Sequence, residues 1–401
     1  MITARVQRLL DRVRSASERV IHRESEQRFY AEIIGEVMVE KQLPPVIQYA
    51  EFLYKFAENF PIEPDADELI IGSQRFTRPE WRKYLSEDEL TQIGPFGNIG
   101  HICVDYERFL LRGVQGLRSD ISNMPAGNNK EAFLLALEAF SLFVRRHGCD
   151  SIAEAPPMTF HDALQLVWFI HVFLHAENNA AAVSFGRLDQ YLGPYLENDL
   201  DSGMITSEEA FELLCCFCIK CCEGDESQNL TLGGTENRLS IMLLRVMAEL
   251  KIWQPSLSVR IRPDTSGEFM SAAVELCAVG TGMPSFFNES VVTASLMALG
   301  IPRNRAEDWG IVGCYEAAPM GNSYPLTVAG GIVLPEILWE FLQNDDDWNS
   351  FDEFYVGFKS FFRAKYLQSI LPEFEKRRIG MADKFPSPFE SICVTGCIES
   401  G

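Results

Sequence analysis

The sequence predicts an α/β fold, with a helical N-terminal region followed by strands that alternate with helices. Two observations carry this. Through residues 1–60 apolar side chains recur every three or four positions, the period of helices with one buried face. From about residue 183, short β-branched and aromatic runs alternate with helical stretches, which implies βα units and a mostly parallel sheet.

The first apolar stripe is Val6, Leu9, Leu10, Val13 and Val20, with Arg5, Arg8, Arg12 and Arg14 around it. A mitochondrial presequence looks similar but is acid-poor. Asp11 and Glu18 interrupt the pattern, so targeting is not expected. Tyr30–Val39 and Val46–Phe60 read as helices, and Pro61-Ile62-Glu63-Pro64-Asp65 breaks the run. Leu69-Ile70-Ile71-Gly72 reads as a short strand or buried segment. Residues 79–100 read as loop-rich, ending in the spaced glycines Gly94, Gly97 and Gly100. These lack the Walker lysine and the dinucleotide spacing, so they read as a plain loop.

Helices are expected at 101–118 and 131–147. Thr159 with Asp162 resembles a capping box before an apolar run to Phe173, and Val183-Ser184-Phe185 suggests a strand. Thr206 and Glu209 form a second box opening the helix Ala210–Cys222. Leu257–Ile261 alternates as a strand, Ala272–Val279 reads as helix, Ser285–Phe287 as strand and 290–299 as helix. Trp309-Gly310-Ile311-Val312-Gly313 then leads directly into Cys314. There is no internal repeat, low-complexity tract or long linker. A mainly helical region, 1–155, is therefore expected to pack with the α/β part, 156–401, as one body.

Thirty-five Lys and Arg stand against 57 Asp and Glu, a formal net charge of −22. Such a balance argues against nucleic acid or an anionic membrane as the main partner. Eleven cysteines without a secretory signal point to a reducing interior. No apolar stretch reaches spanning length, so a cytoplasmic protein is expected.

Four cysteine-bearing features compete for chemistry. Cys215, Cys216, Cys218, Cys221 and Cys222 crowd into one capped amphipathic helix. Thiols spread around a helix cannot converge tetrahedrally on one ion, so core packing is the expected role and no metal site is expected. Cys393 and Cys397, at an expected helix start, read as structural, as do the isolated Cys103, Cys149 and Cys277. Cys314 differs. It ends an apolar strand-like run beside Gly313, and strand ends of α/β folds are where ligand chemistry usually sits. Glu316 lies two residues on, so in an extended loop both side chains face one side, and a thiol and a carboxylate there can serve one substrate. A Cys-His hydrolase using His171 or His175 is a weaker alternative, because both histidines lie on an apolar helix. Asp345-Asp346-Asp347 hints at a calcium loop but lacks its glycine and final glutamate. Ser350 with Glu353 reads better as the cap of the next helix.

Gly310-Ile311-Val312-Gly313-Cys314-Tyr315-Glu316 resembles the active-site loop of glycyl radical enzymes, the pyruvate formate-lyase-like superfamily. Other stretches are similar in the same order: Gly100–Tyr106, Thr159–Phe169, Ser184–Tyr191, Thr231–Gly234, Leu257–Arg260, Pro284–Asn288 and Pro386–Phe389. The resemblance covers roughly residues 20–401. It implies half of a ten-stranded α/β barrel, the first five-stranded half-barrel, with the cysteine on a finger loop inside it. It also implies that Cys314 carries a thiyl radical, with Glu316 as its acid/base partner. His101, Ala181, Ala182, Phe287 and Tyr324 are the implied substrate contacts. A glycyl radical loaded by a radical-SAM activating enzyme is the implied cofactor, with no metal or dissociable organic group. A single Cys-x-Glu resembles the eliminases and decarboxylases, and Tyr315 replaces the second of pyruvate formate-lyase's two adjacent cysteines.

Three departures shape the expectation. No Arg-Val-x-Gly-Tyr radical motif occurs, and family members continue beyond the position of Gly401 into a second half-barrel. The chain is therefore expected to be a split subunit, a fragment or a degenerate homologue. A tightly bound C-terminal polypeptide would carry the radical glycine, and the whole would be oligomeric. Ala181-Ala182 stands where polyol dehydratases have His-Ser, and Val328 where the glycerol enzyme has aspartate. Hydroxyls would lose their partners there, so glycerol-like substrates are not expected. The expected activity is a lyase that breaks a C–O, C–N or C–S bond in a small molecule. A decarboxylase comes next, and a non-catalytic regulatory homologue last.

Overall fold

The computed structural model describes residues 2–15, 24–40, 43–62, 65–73, 79–93, 101–178, 182–224, 228–322, 332–344, 348–376 and 386–394. They form two compact units, one of residues 1–325 with 387–401 and the other of residues 326–386.

In the first unit the helices α1 (Ala4–Ser15), α2 (Glu24–Ile34), α3 (Pro45–Asn59) and α4 (Glu87–Ile93) precede the strand β1 (His101–Cys103). The helices α5 (Tyr106–Ser122), α6 (Asn128–Arg146) and α7 (Phe160–Asn178) lead to β2 (Ala182–Ser184). The helices α8 (Leu188–Asp201) and α9 (Ser207–Lys220) then lead to β3 (Asn229–Gly233). Single helices α10 (Arg238–Leu250) and α11 (Gly267–Ala278) separate β3, β4 (Ser256–Ile261) and β5 (Ser285–Asn288). After α12 (Glu289–Ala298) and α13 (Arg303–Ala306) comes a hairpin of β6 (Trp309–Val312) and β7 (Glu316–Pro319). The second unit is helical, with α14 (Leu334–Asn344) and α15 (Phe351–Lys365). Ser350 accepts a hydrogen bond from the Glu353 amide at 3.2 Å, the cap expected there. The chain rejoins the first unit at α16 (Pro388–Cys393).

β1 pairs in parallel with β2, and β3, β4 and β5 pair in parallel in that order. A parallel bridge, Gly186 to Leu230, joins the two sets. Alternation in β3 and β4 puts Leu230, Leu232, Leu257 and Val259 on one face and Thr231, Ser258 and Arg260 on the other. All seven are buried. One face is therefore oily and the other polar, although neither is wet.

The helical core is aromatic. Phe56, Phe140, Phe143, Phe169 and Phe173 from α3, α6 and α7 pack ring to ring, and Phe389 of α16 sits 4.8 Å from Phe173 and 5.0 Å from Phe140. The buried Glu177 carboxylate holds α16 in place, accepting from the amides of Phe389 and Glu390, each at 2.7 Å. Burial and the nearby Glu390 push the pKa of Glu177 well up.

Several local expectations change. Residues 101–103 form a strand, and the helix begins at Tyr106, where Asp105 caps it through the Arg108 amide. Residues 79–84 and 87–93 are helical rather than loop. Of the two readings for Leu69–Gly72, the buried segment holds at Ile70 and the strand does not form. Cys393 ends α16 instead of starting a helix, and Cys397 lies outside the described residues. The Thr206–Glu209 capping box forms in full. So do strands at 183–184, 257–261 and 285–287.

Candidate active site

β6 is buried along its whole length and pairs antiparallel with β7, Val312 opposite Glu316. Gly313, Cys314 and Tyr315 therefore form the tip of a tight hairpin. Gly313 sits at φ +59°, a left-handed value that side chains resist, and a Cβ there would fall 2.2 Å from the His101 ring nitrogen Nδ1. Glycine is thus required for the tip to lie against the imidazole. Cys314 is exposed at the apex. The extended loop expected from the sequence is a turn instead. Glu316 comes close to the apex by folding back, one oxygen accepting from the Tyr315 amide at 3.0 Å. Its other oxygen lies 3.2 Å from His101 Nδ1, a proton-exchange distance that lacks hydrogen-bond alignment.

The strand register adds the neighbours. Ala182 is buried and stands opposite His101 in the β1–β2 pair. The Phe287 ring on β5 lies 6.4 Å from that of Tyr315 and 6.1 Å from that of Trp309. Cys314, Glu316, His101, Ala182 and Phe287 thus gather on or beside the hairpin. Ala181, Tyr324 and Val328 lie outside the described residues.

Other candidates go elsewhere. The five cysteines at 215–222 are all buried. Among the described residues no group of His, Cys, Asp or Glu is placed to hold a metal. His171 and His175 lie in the core, His171 facing the Tyr106 hydroxyl at 3.3 Å and His175 at 3.2 Å. Burial lowers the His171 pKa well below the ordinary imidazole value. Arg260, the large buried cation near the hairpin, is committed to backbone carbonyls. Nη1 donates to Trp309 at 3.0 Å and Nη2 to Glu307 at 2.8 Å. Burial brings its pKa down to about 10. Its far side lines a cavity of about 610 Å³ with Arg187 and Glu289, to which Cys314 does not contribute. Sequence reading missed the role of Arg260, because only strand register brings it under β6.

A profile of the pyruvate formate lyase-like family matches residues 146–401. The chain is 30% identical to the probable dehydratase YbiW of Escherichia coli, over 62% of this chain and 39% of that protein. It is also 30% identical to trans-4-hydroxy-L-proline dehydratase of Clostridioides difficile, over 63% of this chain and 37% of that protein. The matched part thus spans well under half of these relatives. Among solved structures, the glycerol-bound B12-independent glycerol dehydratase of Clostridium butyricum superposes with a TM-score of 0.84 at 22% identity, covering 100% of this chain and 67% of that one. A glycyl radical enzyme from Archaeoglobus fulgidus gives 0.84 at 21%, covering 99% and 67%. The helix-rich α/β fold is shared with both.

Proposed function

Since the chain belongs to the pyruvate formate lyase-like family of glycyl radical enzymes, we propose that it is the thiol-bearing portion of a glycyl radical lyase. In this reading Cys314 performs hydrogen-atom transfer, and β1 to β5 form the first half of a ten-stranded barrel. The observation that carries the reading is the exposed Cys314 at a hairpin tip whose neighbouring strand residue Glu316 lies 3.2 Å from His101.

A glycyl radical, brought by a second polypeptide or a further domain and loaded by a radical-SAM activating enzyme, would supply the acceptor for the Cys314 hydrogen atom. An exposed apical thiol fits that need, because the hydrogen leaves without opening the core. Cys314 then takes a hydrogen atom from a substrate C–H, reforming S–H and leaving the unpaired electron on carbon. As the neighbouring C–O, C–N or C–S bond breaks, the proton that the substrate loses passes through Glu316 and His101 to the departing group. Cys314 finally returns its hydrogen atom to the product carbon. Ala182 beside His101 offers a substrate no hydrogen bond, which disfavours glycerol-like polyols. A decarboxylase would want a cation for the substrate carboxylate. Arg260 has both terminal nitrogens committed to backbone and does not offer one.

The test is anaerobic co-expression with a radical-glycine-bearing chain and an activase, read by electron paramagnetic resonance. A glycyl doublet should form in the complex. Cys314→Ser should then abolish turnover of the lyase substrate while leaving the doublet intact. Turnover that survives Cys314→Ser would remove that residue from the mechanism.

A further inference from the structure

We propose that Ser184, Thr231 and Arg260 are positioning residues, a clamp from three successive parallel strands that fixes where the Cys314 hairpin lies on the sheet. A buried strand edge must find partners for its amides and carbonyls. On β6 side chains supply several of them. The Ile311 amide donates to Thr231 Oγ1 at 2.8 Å, and the Ile311 carbonyl accepts from Ser184 Oγ at 2.5 Å. Arg260 donates to the carbonyl of Trp309, the first residue of the strand, and to that of Glu307 just before it, and its guanidinium carbon stands 4.4 Å from the Trp309 ring centroid.

All three clamp residues are buried, at 0%, 0% and 2% exposure, and the bonds to Ile311 and Trp309 are shut away from water. The hairpin also lies hard on the sheet, since a Cβ at Gly310 would come within 3.3 Å of the Gly186 Cα. Ile311 is held at both backbone groups and stands three residues before Cys314. The apex therefore cannot slide along the sheet without breaking a buried bond. Ser184 and Thr231 touch no reacting atom in this scheme. They act through the backbone that carries the thiol, setting its distance to His101 and to any incoming substrate.

The clamp matters because Cys314 is read as the reactive thiol, but its test needs neither radical nor partner. A nitroxide is attached to Cys314 in a chain with Cys149, Cys277 and Cys397 replaced by Ser. Its mobility is read by paramagnetic resonance, and amide exchange at Ile311 is read by mass spectrometry. A nitroxide on Cys277, with Cys314 replaced instead, reports general loosening. Thr231→Val should raise mobility at Cys314 and speed Ile311 exchange about tenfold, leave the Cys277 label unchanged, and be rescued by Thr231→Ser. If Thr231→Val does not fold, Ser184→Ala carries the same expectation. Unchanged mobility at Cys314, or an equal rise at both labels, overturns the clamp. Loss of lyase activity with the clamp intact would instead count against the function proposed above.

Discussion

Helix α9 and the β6–β7 hairpin are two cysteine-bearing regions of this protein, and they are opposites. α9 and its end hold five thiols within eight residues, all buried, while the hairpin holds one, exposed. Burial pushes Cys216 up to about 11 and Cys222 to about 12, so these thiols stay protonated and inert near neutrality. The difference teaches that thiol chemistry follows backbone placement and not thiol count. A helix spreads its cysteines into packing contacts, whereas a glycine-started turn delivers a single one to a surface shared with a carboxylate and an imidazole.

Alkylation is the bluntest way to break that contrast. Under native conditions iodoacetamide should modify Cys314 and the exposed Cys277 at least about a thousandfold faster than the α9 thiols, which require opening of the fold. Peptide mapping decides, and comparable rates would erase the distinction. Stability should divide the same way. Cys218→Ser places a hydroxyl in the α9 core and should cost about 1–3 kcal/mol, while Cys314→Ser should stay within about 0.5 kcal/mol in urea unfolding. Gly313→Ala should cost about 1–2 kcal/mol from its left-handed backbone. It should also push His101 away from Glu316, visible as moved His101 ring resonances by NMR.

The smallest effect is a pH slope. A thiol whose folded pKa lies above its unfolded one favours the fold below the unfolded value, and loses that advantage as pH rises through the folded one. For Cys216 the window runs from the ordinary value of 9.0 to about 11. Unfolding free energy should therefore fall by about 1 kcal/mol between pH 9 and 10 from this residue. Cys216→Ala should lower the slope by that amount, read by urea unfolding at the two pH values.

What the sequence made legible follows from the range of the forces involved. The Thr206 box and the Ser350 cap depend on residues three apart, and both formed as read. β3 was missed although Asn229-Leu230-Thr231-Leu232 alternates, because the run is short and ends in glycine. β7 reads Glu-Ala-Ala-Pro, which has almost no strand propensity, and it is a strand because β6 pairs with it. β1 was read into the following helix, yet Asp105 was an available cap signal that would have moved the start to Tyr106. Cys314 and Glu316 stand out by their place at the end of an apolar run and by the resemblance, while their turn geometry and the clamp beneath them depend on register between strands far apart in sequence.

The capping of α16 by Glu177 bears on how the protein is made. Phe389 completes an aromatic core whose other rings come from residues 56–173, and it is synthesised 212 residues after the carboxylate that anchors its amide. At ~5–20 residues per second, the ribosome leaves that slot open for about 10–40 s. Helices that packed before then would leave a phenylalanine-lined cleft waiting for Phe389.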